Sequence, residues 1–335
     1  MDIKDTFATA WIPIRKNILR NRTEAAETAI FDLSQAIPTL VPLTDSSLSE
    51  VNVAIAEPPS AIKDYLMANG GLIHARQIEF LRVTARFALD LEAFSEQNPD
   101  TELDEGILSA FAAMQLGDVM EKLLMFSELS HPGRVHTVQG LVTTPEGGRA
   151  KISAKQSFFQ LWHPQEGDPK WPLITTLTLP DVVAWIHGTS FFNQALAVSR
   201  IERSLAAFTH MVHLGPYREG EILFRAMQSL EAFYCDGIGD LRKQLAEKSA
   251  LWVGCWEEPK NIVGHLYDMR SKFVHGGAKL SYWKDNLDPW EEDEKYMLSF
   301  EHAVTLATRL VVATLQRCIA DKVYNIEWSY TFRAS

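Results

Sequence analysis

Between residues 179 and 321, apolar side chains return at three- and four-residue intervals in one segment after another, with only short breaks between them. A chain patterned in this way buries its stripes by packing helix on helix. Pro180 and Asp181 suit a helix start. The spacing of Val183, Ile186, Phe192, Leu196, Ile201, Leu205 and Phe208 then predicts a helix running to the break at Gly215-Pro216. Further helices are expected over about 218–235, 239–250, 260–275 and 293–321, punctuated by Gly237, Gly239 and Glu257-Glu258-Pro259. Five helices with short connections describe a bundle.

The first half reads differently. Ile78, Leu81, Phe87, Leu91 and Phe94 predict a helix over residues 73–96, and Ile107, Phe111, Met114, Leu116, Val119, Leu123 and Phe126 predict another over 105–128. A Pro/Ser-containing stretch at 37–60 and the Asn98-Pro99-Asp100 turn separate these segments. From about 134 to 178 the texture becomes β-like. Val135, Thr137, Gln139 and Leu141 lead into the turn Pro145-Glu146-Gly147-Gly148, and 173–177 is rich in β-branched residues. The expected fold is mainly α: a mostly helical N-terminal region, residues 1–178, with a small β element at 134–178, followed by a helical bundle at 179–335.

Charge narrows the function classes. The net charge of −11 argues against a protein that coats nucleic acid along its length. Residues 1–150 carry 12 lysines and arginines against 21 acidic residues, while 151–335 carry 20 against 22. The C-terminal half is thus close to neutral and open to a polyanion. No secretory leader or uninterrupted apolar span is read, and the three cysteines lack metal or disulfide spacing, so a reducing cytoplasm is the expected setting, without membrane attachment. Nucleotide-binding glycine motifs, a serine-hydrolase elbow and HExxH are all absent. His210 with His213, and His131 with His136, lack the further ligands a metal needs, so no metal or cofactor is expected.

The segment 266–276, Leu-Tyr-Asp-Met-Arg-Ser-Lys-Phe-Val-His-Gly, places Arg270 and His275 five positions apart at a helix end. Two readings are open. A histidine in a last helical turn interacts with the helix dipole by ~0.3–1 kcal/mol, and Gly276 is an ordinary helix stop. Alternatively, a permanent cation and a proton-transfer group are what a metal-free reaction at a phosphodiester requires. Ile262, Leu266, Met269 and Phe273 form a core stripe, and Val263, Tyr267 and Val274 form a second strip that is expected to face another copy of the same helix. At 100° per residue, Arg270 and His275 diverge by about 140°, so one straight helix cannot aim both at the same point.

With Leu241-Arg242-Lys243-Gln244-Leu245-Ala246 on an earlier helix, the Tyr-x-x-Arg-Ser-x-x-Val-His-Gly text resembles the HEPN domains. It is most similar to the group named after the ApeA anti-phage proteins, over about residues 180–325. That resemblance implies a HEPN-like bundle, a homodimer, and metal-independent RNA cleavage in which Arg270 and His275 act together. Such a protein would be a toxin or anti-phage effector, with residues 1–178 as a sensor or as the site of a regulatory partner or ligand. Ser271 stands where many ribonuclease members have Asn, Asp or His. Gly277 stands where members silenced by tyrosine adenylylation have Tyr, so that control is not expected.

On chemical grounds, Ser271 and Lys272 are candidate phosphate contacts and Tyr267 a base-stacking or packing residue. Glu231 is a candidate partner that orients Arg270, or a simple surface carboxylate. Trp283 and Trp290 are loop anchors or a stacking platform. The alternative from another class is a catalytically silent HEPN-like scaffold that binds RNA, a nucleotide or a partner protein.

Overall fold

The computed structural model describes residues 3–15, 23–69, 78–100, 104–137, 139–153, 171–214, 218–255, 259–279 and 291–329. Trp283, Trp290 and the Gly215-Pro216 break lie outside them. The described residues are mainly helical, with one five-stranded sheet. The chain divides into two compact units, Met1–Ser157 with Thr178–Val183, and Phe158–Leu177 with Ala184–Ser335.

The first unit is built on strands β1 (Ile3–Arg15), β2 (Leu48–Ile55), β3 (Ile78–Asp90), β4 (Gly140–Thr143) and β5 (Arg149–Ile152). They run antiparallel throughout, in the order β2-β3-β1-β4-β5. Helices α1 (Thr23–Thr44) and α4 (Glu105–Ser130) pack on this sheet, and α2 (Ser60–Asn69) and α3 (Leu91–Gln97) complete the unit. Register pairs Ala8 with Ala85, Ala10 with Val83 and Ile12 with Leu81, all fully buried, so one face of the sheet is a continuous apolar floor.

The helix expected over 73–96 is not formed: 78–90 is strand β3. Its buried Leu81, Val83, Ala85 and Phe87 alternate with the half-buried Arg82, Thr84 and Arg86, a period of two that the longer-range spacing of large residues masks. Asp90 then starts α3, its carboxylate accepting from the Glu92 and Ala93 amides. The β element is also larger than expected, because β4 and β5 add to three strands from the first ninety residues. The Pro145–Gly148 turn is present. It is clamped where the Gly148 amide donates to the Ser109 and Thr144 hydroxyls, with Gly148 so close that a Cβ there would strike the Ser109 backbone.

The second unit contains the end of α5 (Leu179–His187), α6 (Arg200–His213), α7 (Glu219–Tyr234), α8 (Leu241–Val253), α9 (Pro259–Val274) and α10 (Glu291–Ala320). Helix α7 contacts α6, α8, α9 and α10, and Phe208, Leu223, Phe233, Tyr234 and Leu310 are fully buried around it. Lys295–Ala320, alone among the described helices, is long and apolar enough to cross a membrane, but 83% of its most apolar window is buried inside the protein.

Two sequence expectations fail here for identifiable reasons. The helix predicted from 180 to the Gly215-Pro216 break is interrupted between His187 and Arg200. At Gly188 the Tyr324 ring lies where a side chain would be, and Ser199 with Glu202 forms a capping box that starts α6 afresh. Glu202 also accepts from the Ser190 and Val198 amides, fastening the intervening loop to the helix. Residues 173–177 form no strand. Instead Gln316 of α10 accepts from the Thr175 amide at 3.0 Å and donates to its carbonyl at 2.7 Å, so a side-chain amide satisfies an extended backbone as a neighbouring strand would.

Lys248 is 2% exposed and its ammonium lies 2.8 Å from the Asp236 carboxylate, which also pairs with Arg200. The Lys248 hydrogen bond is the main reason the Asp236 carboxyl titrates below the usual range. This trio ties the end of α7 to α6 and α8, beneath the Trp328 ring.

Two predictions follow from these contacts. Asp236→Ala removes the carboxylate that faces the buried Lys248 ammonium and is expected to destabilise the protein by about 1–3 kcal/mol in urea denaturation. Glu202 is held down to about 2 by its hydrogen bonds with Ser190 and Ser199. Because its folded pKa is depressed, its contribution is complete above the unfolded value of 4.5 and fades as the pH falls towards 2. Glu202→Gln is therefore expected to cost about 1 kcal/mol at pH 7, with the gap to wild type closing in melts taken between pH 4.5 and pH 3.

Candidate active site

Helix α9 carries the segment singled out in the sequence. Leu266 and Met269 are buried, with Ile262 and Phe273 half-buried, as the first stripe predicts. The Phe273 ring lies against Gly220 of α7, and the Arg242 guanidinium of α8 lies against Gly264. A side chain at either glycine would collide with its neighbour. The two close approaches fix α9 against α7 and α8.

The second strip does not behave as expected. Val263 is fully buried within the chain, and the Tyr267 hydroxyl is buried too. Of the three members, only Val274, at 45% exposure, faces solvent. The strip that was to meet another copy is largely consumed by the protein's own packing.

Arg270 turns inward. Its guanidinium stands 3.9 Å from the Glu231 carboxylate of α7 and 5.8 Å from the centre of the Phe224 ring, and its Nε is buried without a hydrogen-bond partner among the described residues. One turn earlier, the Tyr267 hydroxyl lies near Glu231 and Cys235 but outside hydrogen-bond geometry to either. Burial, reinforced by the Glu231 charge, raises the Tyr267 phenol. Burial likewise pushes the Cys235 thiol up to about 11, which leaves it protonated and inert near neutrality.

His275 turns outward. It is exposed and lies just past the end of α9, and its ring makes no hydrogen bond among the described residues. Backbone alone closes the helix: the His275 amide donates to Ser271, Gly276 adopts φ +73°, and the Gly277 amide donates to Lys272 at 2.7 Å. Ser271 and Lys272 are exposed.

The structure thus gathers Arg270, Glu231 and Tyr267 on the inner flank of α9 and leaves Ser271, Lys272 and His275 on the outside. Arg270 and His275 are not brought together within one chain. Sequence reasoning did not single out Phe224 or Cys235. Their signal is spacing, since Phe224, Glu231 and Cys235 recur at seven and four residues on one face of α7, the face that meets α9. Among the described residues no group of three or more metal-ligating side chains exists.

No family model, curated protein or solved structure matches the chain.

The unpartnered Tyr267 hydroxyl gives a sharp expectation. Tyr267→Phe removes a buried hydroxyl that makes no well-formed hydrogen bond among the described residues, so stability is expected to hold or rise by up to about 1 kcal/mol. Thermal melts of the two proteins side by side check this.

Proposed function

We propose that the second unit is a HEPN-like bundle acting as a metal-independent endoribonuclease, in a cytoplasmic homodimer that serves as a toxin or anti-phage effector. The observation that carries this reading is the division of labour on α9. Arg270 is anchored from behind by Glu231 and Phe224, while the His275 ring is exposed at a helix end that backbone bonds close without it. A histidine with no bond to maintain is available for proton transfer.

RNA supplies its own nucleophile. The 2′-OH attacks the adjacent phosphorus and gives up its proton to a base, the P–O5′ bond breaks, and an acid protonates the departing oxygen. His275 of one copy serves as base and His275 of a second copy as acid. Arg270, always charged, holds two phosphate oxygens as negative charge builds on them. Ser271 and Lys272, exposed beside it, extend the phosphate contact. The products are a 2′,3′-cyclic phosphate and a 5′-hydroxyl. Because Arg270 faces inward and His275 outward on one helix, a working site draws on two chains. The first unit is then the sensing or partner-binding part.

A catalytically silent RNA-binding scaffold is the rival, favoured by Ser271 where many ribonuclease members carry Asn, Asp or His. Cleavage assays in EDTA separate the two. Wild type is expected to cut RNA, and Arg270→Ala and His275→Ala are each expected to lose at least about a hundredfold in rate. Mixing the two inactive variants is expected not to restore activity, because each mixed dimer holds a single His275 and so lacks either the base or the acid. Cleavage that survives both substitutions overturns the assignment; binding without any cleavage by wild type favours the scaffold.

A further inference from the structure

The sheet of the first unit has a second face, and it is unlike the apolar one. Helix α2 covers one end, where Leu66, with Ile62 and Tyr65, packs on Trp11, Phe80 and Leu141. Beyond that lip the register aligns Asn52, Thr84, Thr9, Thr143 and Arg149 in a single row, one residue from each of the five strands. The Thr9 and Thr84 hydroxyls are 3.4 Å apart. In the row beside it, Arg82 and Lys151 flank Trp11 and Leu141. On the other side, Arg86 is paired with Phe7, which is 46% exposed.

Charge on this face is arranged in two zones. At the end away from α2, Arg86 is matched by Asp5 and Glu50, and Asp90 is engaged as the cap of α3. Nearer α2, Arg82, Arg149 and Lys151 have no carboxylate partner among the described residues, and the Arg82 Nε is buried with no hydrogen bond. Four interstrand spacings of ~4.8 Å make the polar row about 19 Å wide, with free cations towards both sides and hydroxyls between them. The unit as a whole is acidic, which disfavours wrapping by a long polyanion, but on this face Asp5 and Glu50 are engaged by Arg86 and Asp90 by the cap of α3.

We infer that this face binds single-stranded RNA, laid across the strands. Its phosphates would meet Arg82 on one side and Arg149 with Lys151 on the other, sugar and base edges would meet the threonine row, and a base would stack on Phe7. The inference rests on the first unit alone and holds or fails separately from cleavage by Arg270 and His275.

The test uses the full chain and a fluorescent 12-nucleotide RNA carrying 2′-O-methyl groups, which remove the nucleophile and so prevent cleavage. Anisotropy titrations at several salt concentrations are expected to show salt-dependent binding. The triple variant Arg82→Gln/Arg149→Gln/Lys151→Gln is expected to bind at least tenfold more weakly at low salt. Its slope of log affinity against log salt should be shallower by about 2, since each phosphate contact on a single strand contributes ~0.7. Phe7→Ala is expected to lose at least about fivefold. Circular dichroism establishes that each variant is folded, and Thr9→Val/Thr84→Val, which keeps strand-forming shape, gives an independent loss should the arginine variant fail to fold. Unchanged affinity and slope in the folded triple variant, equal competition by duplex RNA, or tighter binding of polyglutamate than of RNA each overturns the inference.

Discussion

The pairing of the buried Lys248 with Asp236 is the constraint on which the second unit hangs. A lysine with 2% exposure is tolerable only with a partner in place, and that partner sits at the C-terminal end of α7, where Arg200 also reaches it. The pairing therefore fixes where α7 ends relative to α6 and α8. Glu231 and Cys235 lie in the turn that precedes it, so the position of the carboxylate behind Arg270 is inherited from the ion pair at the end of α7. The aromatic cluster of Phe233, Tyr234, Trp252 and Trp328 packs at the same end, and the Trp328 ring lies against the Lys248 ammonium.

Helix α9 shows how a short segment acquires two distinct environments. Its inner flank is set by the absence of side chains at Gly220 and Gly264, which lets Phe273 and Arg242 lie against backbone and draws the three helices close. That closeness turns Tyr267 and Arg270 into half-buried groups facing α7. The outer flank has no such neighbours, and Ser271, Lys272 and His275 remain in solvent.

Much of this was legible in the sequence, and the failures have physical causes. The helices at 218–235, 239–250, 260–275 and 293–321 are found within a few residues of their expected bounds, because amphipathic spacing and Gly or Pro punctuation agree there. Strand β3 is hidden because Ile78, Leu81, Phe87 and Leu91 happen to fall at helical intervals, while the deciding alternation of Leu81, Val83, Ala85 and Phe87 includes a small residue that weakens it. Residues 173–177 carry genuine β character, but their partner is the Gln316 amide, which no local pattern announces. At the candidate site, the divergence of Arg270 and His275 follows from helical geometry alone. The burial of Val263 does not, since it depends on how near α8 and α7 approach.

The backbone closure of α9 at Gly276 and Gly277 has a practical corollary. A helix end sealed by main-chain bonds places no demand on the ring of the residue inside it, so the identity of residue 275 is decoupled from folding. Arg270 is the opposite case, because its stem and guanidinium are woven into contacts with Phe224 and Glu231. The two positions are therefore unequal as reporters. A phenotype from changing His275 speaks directly to what happens at the surface, whereas one from changing Arg270 mixes surface effects with the integrity of the helices beneath it.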